Sequence, residues 1–465
     1  MLKQKMLQIM AAMLIAVLVL TACGPAATTE APAAPAEAAS EAQEPTSEEM
    51  VAAEVEPTSE TTEPASEEVV TITMWNGFNA HEVGLLNEMI DKYWTPTHPN
   101  IRVIAEGEKD NQTMLTAMSG GDPPDVIIAA SSETATLWAS QGAIMDLTPA
   151  VEPVRAQLEA ELVPAGLQWV IYDGKYYGLP FVNYDSGFFY NKDLFAAAGL
   201  DPEKPPETLD ELAEYAAKLT KVDASGNIIQ LGWMPLIDTW RATSFLLNSG
   251  GRFYDPETGA PTVNDPKNVA AFQWDLDYQS QYGLDKVTAF TTGFSEGDNP
   301  FQLGKIAMDI GGCWDPAFYK LNAPDLNYGV AAIPYSDPQY ANATIVGTNP
   351  IVVPVGAKHP KEAMEFAVFF AMNKDISREY AAVISNIPQI KSEVGTFTDD
   401  PVTKFFAELS TSPNAVAWAP VPYSQRYNDE LQTAIGKMYY EGVSAQEALD
   451  AAQKVMEKVA AEYLD

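Results

Sequence analysis

The chain has 465 residues, of which 46% are hydrophobic and 10% aromatic, so it can fill a large core and is not disordered as a whole. Its 27 basic and 64 acidic residues give a formal net charge of −37, which argues against binding to nucleic acid or to an anionic membrane through a basic patch. Three histidines and two cysteines provide almost no material for a disulfide framework, a Cys/His catalytic pair or a His/Cys metal cluster, so we expect neither metal nor cofactor.

Residues 1–22 have the pattern of a secretory signal peptide. Two lysines precede an apolar run from Met6 to Leu20, and small residues follow before Cys23. The sequence Leu20-Thr21-Ala22-Cys23 resembles the bacterial lipobox, in which the peptide is cleaved before a cysteine that carries a diacylglyceryl group. This resemblance implies that Cys23 is lipidated and anchors an extracytoplasmic lipoprotein at the cell surface or in the periplasm. An uncleaved membrane anchor is the alternative, but the run is shorter than the roughly 20 residues that cross a bilayer.

Residues 23–68 are predicted to be a disordered acidic tether. After Cys23 they consist almost entirely of Ala, Pro, Ser, Thr and Glu, with twelve glutamates and no lysine or arginine. Such a segment cannot bury enough apolar surface to fold, and its charges repel one another. We expect it to hold a folded body, which begins near Val69, away from the membrane.

The start of this body alternates strands with helices. Residues 71–75 alternate like a strand, and apolar residues recur at helical spacing over 82–94. A second strand is predicted at 99–104 and a helix at 112–119. Residues 125–129 form a third strand that is apolar throughout after Asp125, which is typical of a buried parallel sheet. The order predicts an α/β fold.

The same alternation continues to the C-terminus. Helices are predicted at 193–198, 209–219, 268–282, 361–372 and 445–463, and strands at 305–310, 328–333 and 351–355. Residues 222–227 look superficially like a calcium loop. They lack its carboxylate pattern and its closing glutamate, so we interpret them as a hairpin turn.

Several motifs, in this order, resemble the bacterial extracellular solute-binding proteins of the sugar-binding class, the family of maltose-binding protein. They are Gly121–Val126, Asp173–Pro180 followed by Tyr190–Phe195, Gly304–Met308 with Gly311–Trp314, and Pro354–Ala363. The resemblance covers residues 70–465. It implies a two-lobed periplasmic-binding-protein fold, type II-like, in which the chain crosses three times between lobes that close around a ligand.

The resemblance also implies where the lobes begin and end. The N-terminal lobe would contain residues 69–182 and 343–388, and the C-terminal lobe residues 183–342 and 389–465. The crossings would lie near 183–186, 340–346 and 386–390. We expect the ligand at the ends of strands that face the groove between the lobes.

Sugars present flat C–H faces and a rim of hydroxyl groups, so a sugar site needs aromatic rings together with polar side chains. Residues of these types follow predicted strands, lie at the first crossing, or match positions where the family places stacking rings. The candidate ligand-binding residues are Trp75, Asn76, Phe78, Ser131, Ser132, Asn183, Tyr184, Asp185, Trp240, Trp314, Asn349, Tyr423 and Arg426. Trp314 is the strongest, because packing alone poorly explains a tryptophan beside Gly311 and Gly312. For Trp75 to Phe78, Tyr184 and Trp240, an ordinary turn or core position is the alternative.

The resemblance implies a substrate-binding subunit of an ABC importer, which captures an oligosaccharide or glycoside and delivers it to a membrane permease. We expect a monomer that is not an enzyme, since no Gly-x-Ser-x-Gly elbow, phosphate-binding glycine loop or His-Glu-x-x-His motif occurs. Two alternatives stay open. The same fold could bind a polyamine through acidic residues such as Asp185 and Asp315, or the chain could be a secreted carbohydrate-active enzyme.

Overall fold

The computed structural model describes residues 69–295 and 297–464. The predicted signal peptide, the lipidated Cys23 and the tether of residues 23–68 lie outside this part of the chain and remain predictions. Among the described residues, no helix combines the length and the apolar character needed to cross a membrane.

The strands occur throughout the described chain. They are β1 Val70–Asn76, β2 Ile101–Glu106, β3 Val126–Ile128, β4 Ile171–Tyr172, β5 Lys175–Tyr176, β6 Leu179–Asn191, β7 Lys221–Val222, β8 Ile228–Gln230, β9 Met308–Gly312, β10 Tyr328–Ala331, β11 Thr344–Val352, β12 Ile387–Pro388 and β13 Ala415–Val416. The strand predicted at 305–310 begins three residues later, at Met308, and ends at Gly312. Residues 222–227 connect β7 to β8 in an antiparallel hairpin, as predicted.

Helices alternate with these strands. They are α1 Ala80–Met89, α2 Asn111–Gly120, α3 Glu133–Ser140, α4 Thr148–Val151, α5 Arg155–Glu161, α6 Pro164–Gln168, α7 Lys192–Ala197, α8 Leu209–Leu219, α9 Thr239–Asn248, α10 Pro266–Ser280, α11 Leu284–Thr291, α12 Asp315–Asn322, α13 Pro360–Met372, α14 Lys374–Ile384, α15 Lys391–Val394, α16 Pro401–Leu409, α17 Ser424–Glu441 and α18 Ala445–Leu464. Side chains that accept backbone hydrogen bonds begin several of them, as Asn79 does for α1 and Asp238 for α9.

The first strands form a parallel sheet. Strand β1 pairs with β2 on one side and with β3 on the other, both in parallel register. The sheet then continues through β11, which is antiparallel to β3, and β6, which is antiparallel to β11. All three residues of β3 are buried, as its unbroken apolar sequence predicts.

Strand β6 changes partners along its 13 residues. Its first half pairs with β11 and β12, where Asn183 lies opposite Thr348 and Ile387. Its second half pairs with β9 and β10, beginning with Ser186 opposite Gly312. A single strand is therefore part of two different groups of strands.

Buried apolar side chains gather into two main clusters. The first surrounds the β1–β3 sheet and includes Ile72, Val126 and Phe366. The second lies among the helices that follow β6 and includes Phe195, Phe272 and Ile435. Two large cores joined through shared strands confirm the predicted two-lobed α/β architecture. The residue limits of each lobe remain a proposal.

Candidate functional site

A cavity of about 550 Å³ is bordered by residues from both clusters. Six of the predicted ligand-binding residues line it: Phe78, Ser131, Tyr184, Trp240, Trp314 and Asn349. The volume falls in the range of roughly 300–1,000 Å³ that is typical of small-molecule sites. We call this cavity the cleft.

Three aromatic rings form one wall of the cleft. The Trp240 and Trp314 ring centroids are 5.2 Å apart, and the Tyr184 ring stands nearly perpendicular to Trp314 at 5.7 Å. Trp314 directly precedes α12, Trp240 is in the first turn of α9, and Tyr184 is on β6. These three residues are the aromatic wall.

Two glycines allow the Trp314 and Tyr184 rings to pack directly against the backbone. A Cβ atom at Gly312 would stand 2.4 Å from the Trp314 ring, and one at Gly347 would stand 2.2 Å from the Tyr184 ring. Both distances are too short for any side chain, so the two rings require glycine beneath them. The close approach of the Trp314 ring therefore explains the glycine at position 312 of the Gly311-Gly312-Cys313-Trp314 sequence.

Ser132 does not line the cleft, but it positions Tyr184. Its hydroxyl group lies 2.9 Å from the Tyr184 hydroxyl, donates to the Thr348 carbonyl oxygen at 2.8 Å and accepts from the Thr348 amide at 2.7 Å. Because Ser132 is buried, these bonds hold the Tyr184 ring between β6 and β11.

The other predicted residues do not line the cleft either. Asn76 is buried and accepts from the Phe78 amide, and Lys109 lies over the Trp75 ring. The Asn183 and Asp185 side chains are fully buried. The buried Tyr423 donates to the Gly259 carbonyl oxygen, whereas Arg426 is exposed and lies near Glu430.

Asp185 is buried without a hydrogen-bond partner for either carboxylate oxygen. Burial raises the pKa of this carboxyl well above its ordinary value, and the Cys313 side chain acts in the opposite direction. Asp185 therefore forms part of the interior near the first crossing and is not a ligand-facing charge.

Sequence reasoning missed several residues that line the cleft. Trp169 and Trp418 have ring centroids 6.4 Å apart, and the Trp169 indole donates to the Val346 carbonyl oxygen at 2.9 Å. Trp418 lies in a loop with two nearby prolines, a context in which a tryptophan could have been noticed as a candidate. Other residues missed are Glu82, Ala130, Glu133, Thr239, Thr243, Phe318, Ile345, Ile384 and Asn386. Gly347 and Asn428, which the sequence had indicated beside Asn349 and Arg426, also line the cleft.

Glu133 places a carboxyl group inside the cleft. Burial raises its pKa, while its own backbone amide and the side chains of Trp418, Ser131 and Asn428 favour the charged form. It also lies in the first turn of α3, where the helix dipole favours a negative charge. Glu133 thus connects α3 with Trp418 and with Asn428 on α17.

A partly buried ion-pair network connects the segments that carry Trp240 and Trp314. The Arg241 guanidinium donates to both Asp309 carboxylate oxygens, at 2.7 and 2.8 Å, and also to Asp238. Asp238 caps α9, and Asp309 is on β9. Since Trp240 precedes Arg241 and β9 runs into Trp314, this Arg241 network fixes the spacing of the two indole rings.

Asp315 gives the wall a pH-dependent element. Burial raises its pKa to about 6 from an ordinary 3.8, opposed by the Gly312 amide, which donates to it at 2.8 Å. The folded state therefore retains this proton longer than the unfolded chain does. The contribution of protonated Asp315 to the free energy of unfolding is complete below about pH 4 and is lost as the pH rises through 6.

We expect Asp315→Asn to remove this dependence, because asparagine still accepts from the Gly312 amide but does not ionise. Between pH 4 and pH 6, the free energy of unfolding of the wild type should fall relative to the variant by up to about 3 kcal/mol. Denaturant unfolding at both pH values would measure the difference. Equal pH profiles for the two proteins would contradict this assignment.

Within the described residues, no group of three or more His, Cys, Asp or Glu side chains is arranged to hold a metal ion. The charged residues that border the cleft are Glu82 and Glu133, with no lysine, arginine or histidine among its lining residues. The site can therefore offer ring faces, hydroxyl and amide groups, and carboxylates.

Comparison with known proteins assigns the family. Residues 79–375, more than half of the chain, match the family described as bacterial extracellular solute-binding protein. A maltotriose-binding protein from Pyrococcus abyssi (strain GE5 / Orsay) is 22% identical over 344 residues, which cover 72% of this chain and 71% of the relative. The sn-glycerol-3-phosphate-binding periplasmic protein UgpB from Escherichia coli (strain K12) is 27% identical over 281 residues, which cover 57% of this chain and 61% of UgpB.

A solved structure named CpMnBP1, with mannotriose bound, shares the fold. It is 28% identical, with a TM-score of 0.71, and the match covers 83% of this chain and 100% of that one. The predicted family resemblance and fold are confirmed. The chain belongs to the bacterial extracellular solute-binding protein family.

Proposed function

We propose that this protein is the substrate-binding subunit of an ABC importer and that it captures a carbohydrate, an oligosaccharide or a glycoside, in the cleft. The observation that carries the proposal is the pairing of ring faces with polar groups around one cavity. Trp314, Trp240 and Tyr184 offer surfaces for the C–H faces of a sugar, and Trp169 and Trp418 offer more. Ser131, Asn349, Asn386, Asn428 and Glu133 offer partners for its hydroxyl groups.

The names of two similar proteins support a saccharide ligand. CpMnBP1 is described with mannotriose bound, and the Pyrococcus abyssi relative is named for maltotriose. UgpB is named for a phosphate ester. Within the described part of the chain, no basic residue lines this cleft, which favours the saccharide over the phosphate.

Capture would involve movement of two lobes. We propose an N-terminal lobe of residues 69–182 and 343–388 and a C-terminal lobe of residues 183–342 and 389–465. The change of partners along β6 between Asp185 and Ser186 supports a first crossing near 183–186. A ligand that contacts both lobes would favour the closed form, which a permease would recognise.

The wider assignment is also part of the proposal. The protein would be an extracytoplasmic monomer, anchored through a lipid on Cys23, that delivers its ligand to permease subunits and hydrolyses nothing. A polyamine is the alternative ligand. It would have to use Glu82 and Glu133, since neither Asp185 nor Asp315 lines the cleft.

Calorimetric titration of the full-length chain tests these assignments. We expect mannotriose or maltotriose to bind with a dissociation constant of about 10 μM or lower, equivalent to roughly −7 kcal/mol, and to raise the melting temperature. Spermidine should bind at least about 100-fold more weakly. Binding of spermidine alone would contradict the saccharide assignment, and sustained release of cleavage products from either sugar would reveal an enzyme.

A further inference from the structure

The charges around the cleft all have one sign. Among the residues that the structure describes, Glu133 and Glu82 are the charged ones that line the cleft, and no cationic side chain accompanies them there. The full chain carries a formal charge of −37, so its long-range field has the same sign. An anionic solute would meet repulsion both on approach and at contact.

The two arginines that lie close in sequence to cleft residues do not offset these carboxylates. Arg241 follows the cleft residue Trp240, but it is already bound to Asp309 and Asp238. Arg426 is exposed and lies 3.6 Å from Glu430. Neither arginine lines the cleft, so a phosphate or carboxylate placed there would have no charged partner.

Glu133 differs from Glu82 in its surroundings. Both residues are half-buried, but the Glu82 carboxylate is engaged in the cap of α1, where it accepts from the Asn79 amide. Glu133 lies among Trp418, Ser131 and Asn428 in the cleft, where burial raises the pKa of its carboxyl and these three side chains oppose that rise. Repulsion by a charge in such a low-dielectric environment is stronger than repulsion by one that water screens.

We infer that the cleft is selective for saccharides without phosphate or carboxylate groups and that Glu133 is the residue that determines this selectivity. The inference rests on the proposed saccharide binding and defines the class of saccharide. The Glu133 carboxylate accepts hydrogen bonds from ligand hydroxyl groups, whereas a ligand anion brings a second negative charge to the same place without a donor. The inference also separates this chain from UgpB, which is named for sn-glycerol 3-phosphate.

The test compares mannotriose, mannotriose 6-phosphate and sn-glycerol 3-phosphate by calorimetry on the full-length chain at neutral pH. We expect the wild type to bind mannotriose at least about 100-fold more tightly than its phosphate ester and to give no measurable binding of glycerol phosphate. Glu133→Gln should reduce the ratio of the two mannotriose affinities by about tenfold or more. Glu88→Gln is the control, because Glu88 is exposed on α1 and does not line the cleft, and it should leave the ratio within about threefold of the wild-type value.

A second variant addresses the possibility that Glu133→Gln does not fold. Asn428→Lys places an ammonium group beside Glu133. It should also reduce the ratio of the affinities for mannotriose and its phosphate ester by about tenfold. Wild-type binding of either phosphate compound as tightly as mannotriose, or an unchanged ratio in the charge variants that fold, would overturn the inference and leave saccharide binding intact. Absence of binding by every saccharide would instead overturn the proposed function.

Discussion

Replacing Trp314 with alanine is expected to weaken saccharide binding by about 100-fold or more, which corresponds to a loss of about 3 kcal/mol. The indole ring contacts both other members of the aromatic wall and lines the cleft. Its loss removes a stacking surface and also leaves Trp240 and Tyr184 free to shift. Calorimetry with mannotriose would measure the effect.

Trp75→Ala provides a matched control. Trp75 was a candidate from the sequence, but it lies outside the cleft lining and packs against the first core cluster. Its replacement should lower the free energy of unfolding and leave the affinity within about threefold of the wild type. Unchanged affinity in Trp314→Ala for every saccharide that binds the wild type would contradict the role of the wall.

Replacing Arg241 with methionine is expected to lower the free energy of unfolding by about 3–5 kcal/mol. The substitution leaves Asp309, which is 8% exposed, without its bidentate partner. Most of the lost stability comes from leaving an unpaired carboxylate in the interior, and less comes from the loss of the ion pair itself. Denaturant unfolding would measure the loss, and saccharide affinity should fall as the two indole rings lose their fixed spacing.

Arg155→Met is the control for this variant. Arg155 donates to Glu152 at 2.8 Å, but both side chains are substantially exposed. Removal of that pair should cost about 0–1 kcal/mol. If both arginine variants lost the same small amount of stability, the Arg241 network would not have the structural role assigned to it.

Local patterns predicted the fold well. The apolar run of β3, the helical spacing of α1 and the hairpin between β7 and β8 are properties of short segments. Each has a periodicity or a turn composition that packing does not override. Trp314 was found for a similar reason, since two adjacent glycines beside a large ring indicate close backbone approach.

The predicted site was less complete, and β6 shows one reason. Asn183, Tyr184 and Asp185 were all placed in the cleft, yet successive side chains of a strand point to opposite faces. Tyr184 lines the cleft, so its two neighbours face the interior. The alternation of side chains along a strand was sufficient to exclude three consecutive residues from facing the same cleft.

Long-range assembly accounts for the residues that were missed. Glu133, Trp169 and Trp418 come from three distant segments, and nothing near them in the sequence indicates that they share a cavity. The charge of the cleft could not be predicted either, because 64 acidic residues provide many candidates. Only the fold selects Glu82 and Glu133 from that number.

The length of β6 has a consequence for how the gene can vary. Both groups of strands pair with the same 13-residue strand, which therefore sets the register of both. Deleting one residue near the middle of β6 would turn the side chains of one half of the strand to the wrong faces. Phe188, which packs in one core, and Phe181, which packs in the other, could not both stay buried. Insertions and deletions should therefore be tolerated in the surface turns and eliminated from this strand, so that its length stays constant while its neighbours diverge.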